Sequence, residues 1–173
     1  MGVPYQPVAA DVDESTFAGE AATAYVSRLA AAKAEAGWRM TSGPAVLGAD
    51  TAVVLDRQIL GKPRDREHAL DLLQRLSGRM HEVLTAVALR TAGGVGVRLS
   101  QTEVTFRGIS PKECLAYWET GEPVGKAGAY AIQGFGAAFV SHLRGSYSGV
   151  MGLPLFETAE LLDAAAVPRW RQS

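Results

Sequence analysis

The chain has 173 residues, a net charge of −1, and 47% hydrophobic against 20% charged residues, the composition of one globular domain rather than of a disordered chain. So even a charge excludes a nucleic-acid backbone as the main partner, which would need a basic stripe. The single cysteine, Cys114, excludes an internal disulfide and a thiolate zinc cluster, and His68, His81 and His142 are too scattered for a close-range zinc motif.

Residues 1–10 read as irregular, with Pro4 and Pro7 holding them extended. They show no basic start ahead of an apolar core, and Gln6 stands where a myristoylation signal has Ser or Thr. No apolar run approaches membrane length, so a soluble cytoplasmic domain without a membrane partner is expected. Residues 11–15, D-V-D-E-S, suit a helix N-terminus, with Ser15 or Thr16 as N-cap and Glu14 favouring the helix dipole. The helix is predicted over 19–36, from the spacing of Ala22, Tyr25, Val26, Leu29 and Ala30, with Gly37 as its stop. Lys33 then falls near the helix end, where a cation also suits the dipole.

Residues 45–63 read A-V-L-G-A-D-T-A-V-V-L-D-R-Q-I-L-G-K-P. The Val-rich run predicts a strand buried on both faces, with Asp50 inside it. An unpaired buried carboxylate costs several kcal/mol, so a cation, a metal or a set of donors must compensate it. Asp56 and Arg57 can form a hairpin tip that returns Lys62, in Gly61-Lys62-Pro63, alongside the strand. A carboxylate and a lysine offered to one cleft suit a phosphate and metal site; the plain alternative is a structural Asp and a surface lysine.

Asp65 predicts the cap of a second helix through Leu76, ended by Ser77-Gly78. Residues 83–89 predict a strand alternating at Val83, Thr85, Val87 and Leu89, and 95–106 its hairpin partner across Ala92-Gly93-Gly94. Ser110 and Pro111 open a third helix that Gly121 closes. Residues 125–136 hold Gly125, Gly128, Gly134 and Gly136, enough to let backbone approach a ligand closely. Gln133 carries donor and acceptor on one planar head, which suits reading a base edge. Residues 137–143 read as a strand, 145–152 as a loop of small residues, and 155–166 as a final helix. Strands alternating with helices, plus a hairpin, indicate an α/β domain with a mixed central sheet and flanking helices.

Taken together, these stretches closely resemble the Maf family of nucleotide pyrophosphatases. The matching pieces are residues 11–15, 29–34 around Lys33, and Leu47-Gly48-Ala49-Asp50-Thr51. Next come Gly61-Lys62-Pro63, Leu76-Ser77-Gly78 with His81, Val83 and Thr85, and residues 117–123; residues 126–134 and 145–154 complete the set. The resemblance covers residues 4–162 and implies a single domain over 1–173 with two lobes around a cleft, similar in architecture to the inosine triphosphate pyrophosphatases. It implies hydrolysis of a nucleoside triphosphate between its α and β phosphates, with a divalent metal cation, Mg²⁺ or Mn²⁺, and a homodimer. Asp50 matches the family's main catalytic carboxylate; Glu14, Lys33, Lys62 and Gln133 match substrate-site positions, with Asp50 and Glu14 as metal ligands. The run Ala129-Tyr130-Ala131-Ile132-Gln133-Gly134 resembles the branch that acts on dTTP and UTP, where another branch has Glu in place of this Gln.

Three departures stand out. The family's first strand and its Ser-x-Arg-Arg loop precede the segment matching Pro4 and Pro7, so a chain without them is expected to be shortened at its N-terminus and weakly active. Gly125 stands where Asp is common, and Gly149 where Asn is common, which is expected to loosen that loop. Loss of the loop's phosphate-binding groups keeps a second reading open: a nucleotide-binding regulatory protein linked to septum formation. A third is an α/β domain whose motifs persist only as packing.

Overall fold

The computed structural model describes residues 1–170. Its first helix, α1, spans Ala22–Met40, later at both ends than the sequence predicts. Ala21 precedes it with no side-chain cap. The acidic segment 11–15 is not helical; Asp13 instead accepts from the Ser15 backbone N–H at 2.9 Å in a local turn. Gly37 does not stop the helix but is buried within it, because a Cβ there would lie 2.9 Å from Val46 Cγ1. A glycine that lets a helix settle onto a strand looks, in sequence, the same as one that ends a helix.

Strand β1 is Ala45–Leu55 and β2 is Gln58–Leu60. Asp56 and Arg57 join them with φ of 50° and 64°, both left-handed as a two-residue hairpin turn requires. Burial on both faces holds for Ala52, Val53, Val54 and Leu55, whereas most of the first half of β1 is only partly covered. Helix α2, Arg66–Leu76, is capped by Asp65, which accepts from the His68 N–H. Strands β3, Met80–Thr91, and β4, Gly94–Phe106, form the expected hairpin. Helix α3, Pro111–Glu119, starts in a capping box between Ser110 and Glu113.

The expected strand over 137–143 divides into a 3-10 turn, Phe135–Phe139, and a shorter strand β5, Val140–Arg144. The expected loop over 145–152 contains a one-turn helix α4, Tyr147–Val150, capped by Ser146, and α5 follows at Leu155–Ala164.

The sheet order is β2-β1-β3-β4-β5, and every pairing is antiparallel among the described residues, where a mixed sheet was expected. The β2–α2–β3 connection explains the difference. It carries the chain across β1, so β2 and β3 run parallel to each other but never pair. Strand–helix–strand order in sequence is the same whether the parallel strands are neighbours or flank a third.

On one face of the sheet α1 packs Val26, Ala30 and Ala34 against Ala52, Val54, Leu84, Ala86 and Ala88. Thus β3 is buried on both sides rather than alternating. On the other face α2 and α3 cover the end of the sheet at Val53, Val83 and Phe106, while α5 covers Val87 and Leu89 with Leu161 and Leu162. Thr51 and Thr85, paired across β1 and β3, lie between these two clusters. These two helical groups leave a gap on this face, and α4 reaches into it at Thr85 through the Gly149 carbonyl.

Candidate active site

A cleft of about 260 Å³ opens at this gap, beside the edge of β1 that β2 leaves uncovered. It is lined by Lys33, Asp50, Thr51, Lys62, Lys126, Tyr130, Gln133 and Met151, among others. A smaller neighbouring cavity of about 150 Å³ joins Glu14 and Tyr25 to Asp50 and Lys62. All five residues singled out in the sequence therefore border one connected region.

Asp50 sits on the α1 face of β1, level with Ala86 of β3. The helix approaches closely because residue 48 is glycine: a Cβ there would stand 2.5 Å from the Ala30 carbonyl oxygen and 2.6 Å from Ala34 N. That approach brings Lys33, in the middle of α1, within reach. Its Nζ donates to Asp50 Oδ1 at 2.7 Å and contacts Glu14 Oε1 at 2.6 Å. Lys62 Nζ meets the other oxygen of Glu14 at 3.3 Å. The result is an alternating chain of charge, Asp50–Lys33–Glu14–Lys62, that joins an irregular segment, a helix, a strand and a hairpin exit.

Exposure grades along this chain. The Asp50 side chain is 9% exposed, Lys33 24%, Glu14 40% and Lys62 61%. Burial pushes the Asp50 carboxyl above the ordinary aspartate value, outweighing the lowering effect of Lys33. The Lys33 hydrogen bond, with help from Lys62, holds Glu14 below the ordinary value despite some burial. Burial opposes the Lys33 cation, but Asp50 and Glu14 together raise its pKa, so it stays charged across the neutral range. The segment read as a helix N-terminus is thus extended chain placing a carboxylate beside two lysines, and the lysine read as a helix-end charge pairs across to the sheet.

The opposite wall comes from residues 125–136. Gln133 is exposed toward the cleft. Three of the four glycines of this wall meet the protein itself, whereas Gly125 lines the cleft with open space around it. Gly128, at φ 67°, packs on Val53; Gly134 faces the Glu122 carboxylate; a Cβ on Gly136 would stand 2.7 Å from the Tyr117 hydroxyl. Gly149 does not loosen its loop: its N–H donates to Ser146 Oγ at 3.0 Å, and its carbonyl accepts from Thr85 Oγ1 at 2.7 Å.

Three cleft residues, Thr51, Lys126 and Tyr130, and the buried Thr85 behind them received no role from the sequence. Lys126 lay inside a quoted motif without a role, although a lysine between glycines is a recognisable signal. Thr51 and Thr85 share a hydrogen bond of 2.9 Å that ties the strands to α4 through Gly149. Nothing local marks two threonines on adjacent strands as partners. Tyr130 reaches back from the cleft wall to His81 Nε2 at 2.9 Å. Burial lowers the His81 pKa to about 4, so this histidine is neutral in the neutral range.

Asp50 and Glu14 are hard oxygen donors, the ligand type that Mg²⁺ and Mn²⁺ prefer. No group of three or more His, Cys, Asp or Glu side chains able to hold a metal occurs among the described residues. Lys33 Nζ lies between these two carboxylates, so a cation would use their other oxygens and take its remaining ligands from water and substrate phosphates.

A family model described as Maf-like protein matches residues 1–165. The chain is 49% identical over 175 residues to a dTTP/UTP pyrophosphatase of Saccharophagus degradans, covering 99% of this chain and 83% of that protein. It is 54% identical over 163 residues to one of Methylococcus capsulatus, covering 94% and 81%. A third, from Pseudoalteromonas atlantica, is 48% identical over 167 residues, covering 94% and 87%. With the family model spanning nearly the whole chain and relatives this similar, the chain belongs to the Maf family.

Proposed function

We propose that this protein hydrolyses dTTP and UTP to the nucleoside monophosphate and pyrophosphate. The observation that carries this reading is the charge chain Asp50–Lys33–Glu14–Lys62 on one wall of a cleft whose other wall presents Gln133. Phosphoryl transfer requires charge neutralisation and positioning more than covalent catalysis. The relatives named as dTTP/UTP pyrophosphatases supply the substrate class.

Lys62, the most exposed of the four, and Lys33 bind the phosphate oxygens. Gln133 pairs with the carbonyl and imide N–H of uracil or thymine, a pattern cytosine lacks. Asp50 orients a water molecule for attack on the α-phosphorus and accepts its proton as the Pα–O–Pβ bridge breaks and pyrophosphate leaves. Glu14 pairs with both Lys33 and Lys62 and completes the carboxylate pair. Asp50 and Glu14 would hold Mg²⁺ or Mn²⁺, which when bound supplies charge neutralisation on the phosphates.

The same reading makes residues 1–173 one domain, working in the cytoplasm, where nucleotide pools lie. Cys114 is buried and free, and no described helix is long and apolar enough to cross a membrane. It also assigns a homodimer, a state that sedimentation measures directly.

The deciding experiment measures pyrophosphate release from dTTP, UTP and CTP with Mg²⁺ or Mn²⁺, before and after chelation. Release from dTTP and UTP that exceeds release from CTP and stops on chelation is expected. Nucleotide binding without release of pyrophosphate would overturn the reading.

A further inference from the structure

Glu122 and Tyr117 lie outside the charge chain, yet they converge on the turn that carries Gln133. One oxygen of Glu122 accepts from the Tyr117 hydroxyl at 2.8 Å and from the Gly136 N–H at 3.0 Å. The other accepts from the Phe135 N–H at 2.8 Å. The Tyr117 hydroxyl in turn accepts from the Ala131 N–H at 3.1 Å. Gln133 is thus bracketed, two residues before and two and three residues after, by backbone donors tied to one carboxylate–phenol pair.

The pair has a firm base. Tyr117 is 4% exposed and packs edge-on against Phe139, with ring centroids 5.0 Å apart. Thr120 Oγ1 donates to the Tyr117 carbonyl at 2.6 Å and accepts from the Glu122 N–H at 3.2 Å. The turn has given up side chains to reach this pair. A Cβ on Gly134 would collide with the Glu122 carboxylate, and one on Gly136 with the Tyr117 hydroxyl. Gln133 itself makes no side-chain hydrogen bond among the described residues, so its direction follows from its backbone.

We propose that Tyr117 and Glu122 are positioning residues for base selection: they clamp the 131–136 turn and so aim Gln133 at the pyrimidine edge. This rests on the reading of Gln133 as the base-recognising side chain. The three donors on Glu122 outweigh its burial and hold it ionised, which keeps both oxygens available as acceptors.

The test uses the full chain and compares Glu122→Gln, Tyr117→Phe, Gln133→Ala and the double variant Glu122→Gln/Gln133→Ala. Measured for each are kcat/KM for UTP and CTP, binding of non-hydrolysable UTP and CTP analogues, and hydrogen exchange at the Phe135 and Gly136 amides. Glu122→Gln places an amide donor against N–H groups and is expected to speed that exchange. The preference for UTP over CTP is expected to fall about tenfold, mainly through KM. The double variant is expected to be no less selective than Gln133→Ala alone, because both changes remove one function. Tyr117→Phe removes a single hydroxyl and gives the same direction with smaller size, which covers the case in which Glu122→Gln folds poorly. Faster exchange with unchanged selectivity in Glu122→Gln and Tyr117→Phe, while Gln133→Ala loses selectivity, would overturn the clamp alone. Unchanged selectivity in Gln133→Ala would overturn the base-reading role, and the clamp's part in it.

Discussion

At Asp50 burial and chemistry pull in opposite directions. Burial raises its pKa, so the ionised carboxylate is less comfortable in the folded chain than in the unfolded one. The sign follows: a carboxyl whose folded pKa lies above its unfolded value favours folding only below the ordinary carboxylate range. That contribution is lost as pH rises from the ordinary value through the higher folded pKa. Asp50→Asn removes the charge but keeps the shape, and Lys33 retains Glu14 as a partner. Turnover is expected to fall by roughly 10² or more, with a melting temperature at pH 7 no lower than wild type. Near wild-type turnover would remove Asp50 from the chemistry. Glu14 has the opposite sign: lowered by Lys33 first, it stabilises above the ordinary glutamate range, and this is lost as pH falls through its folded pKa. Thermal melts of Glu14→Gln should therefore lie below wild type near neutrality and converge with it in acid.

Among the elements, the α1–β1 contact does most to place the site. Lys33 reaches Asp50 only because Gly48 lets the helix backbone rest on the strand. Gly48→Ala would put a methyl group against the Ala30 carbonyl and Ala34 N, both backbone atoms, so the helix as a whole must move. Overpacking of this kind costs about 1–3 kcal/mol, or roughly 3–10 °C for a domain of this size. Lys33 lies between the two contact residues, so kcat/KM is expected to drop about tenfold or more along with stability. Calorimetry and steady-state kinetics on the same preparation check both. A lower melting temperature with unaltered kinetics would show that the Lys33–Asp50 pair tolerates displacement of the helix.

For the whole molecule, the open edge of β1 sets the expectation. β2 pairs only with Val53, Val54 and Leu55, so residues 45–52 pair with β3 on one side and, among the described residues, with no strand on the other. Unpaired strand edges lose stability and invite association. Association of the chain through this edge is therefore expected to rise with protein concentration, which sedimentation velocity checks. Monomers across the whole concentration range would show that the open edge stays unpaired.

The sequence by itself determined what depends on neighbours along the chain. The Asp65 and Ser110 caps, the Asp56-Arg57 hairpin and the β3–β4 hairpin were legible because each rests on turn or capping chemistry within a few residues. Five candidate site residues were also legible, through motif resemblance and the expense of burying Asp50. Only the tertiary structure decided what depends on residues far apart. It set the antiparallel order of the sheet, because a crossover over β1 leaves no local trace. It turned Glu14 and Lys33 from helix-end charges into partners, because that pairing depends on where an irregular segment lies beside α1. It also gave Gly128, Gly134 and Gly136 their purpose. A missing side chain shows that something comes close, but whether that is a ligand or a carboxylate such as Glu122 is decided by packing across the fold.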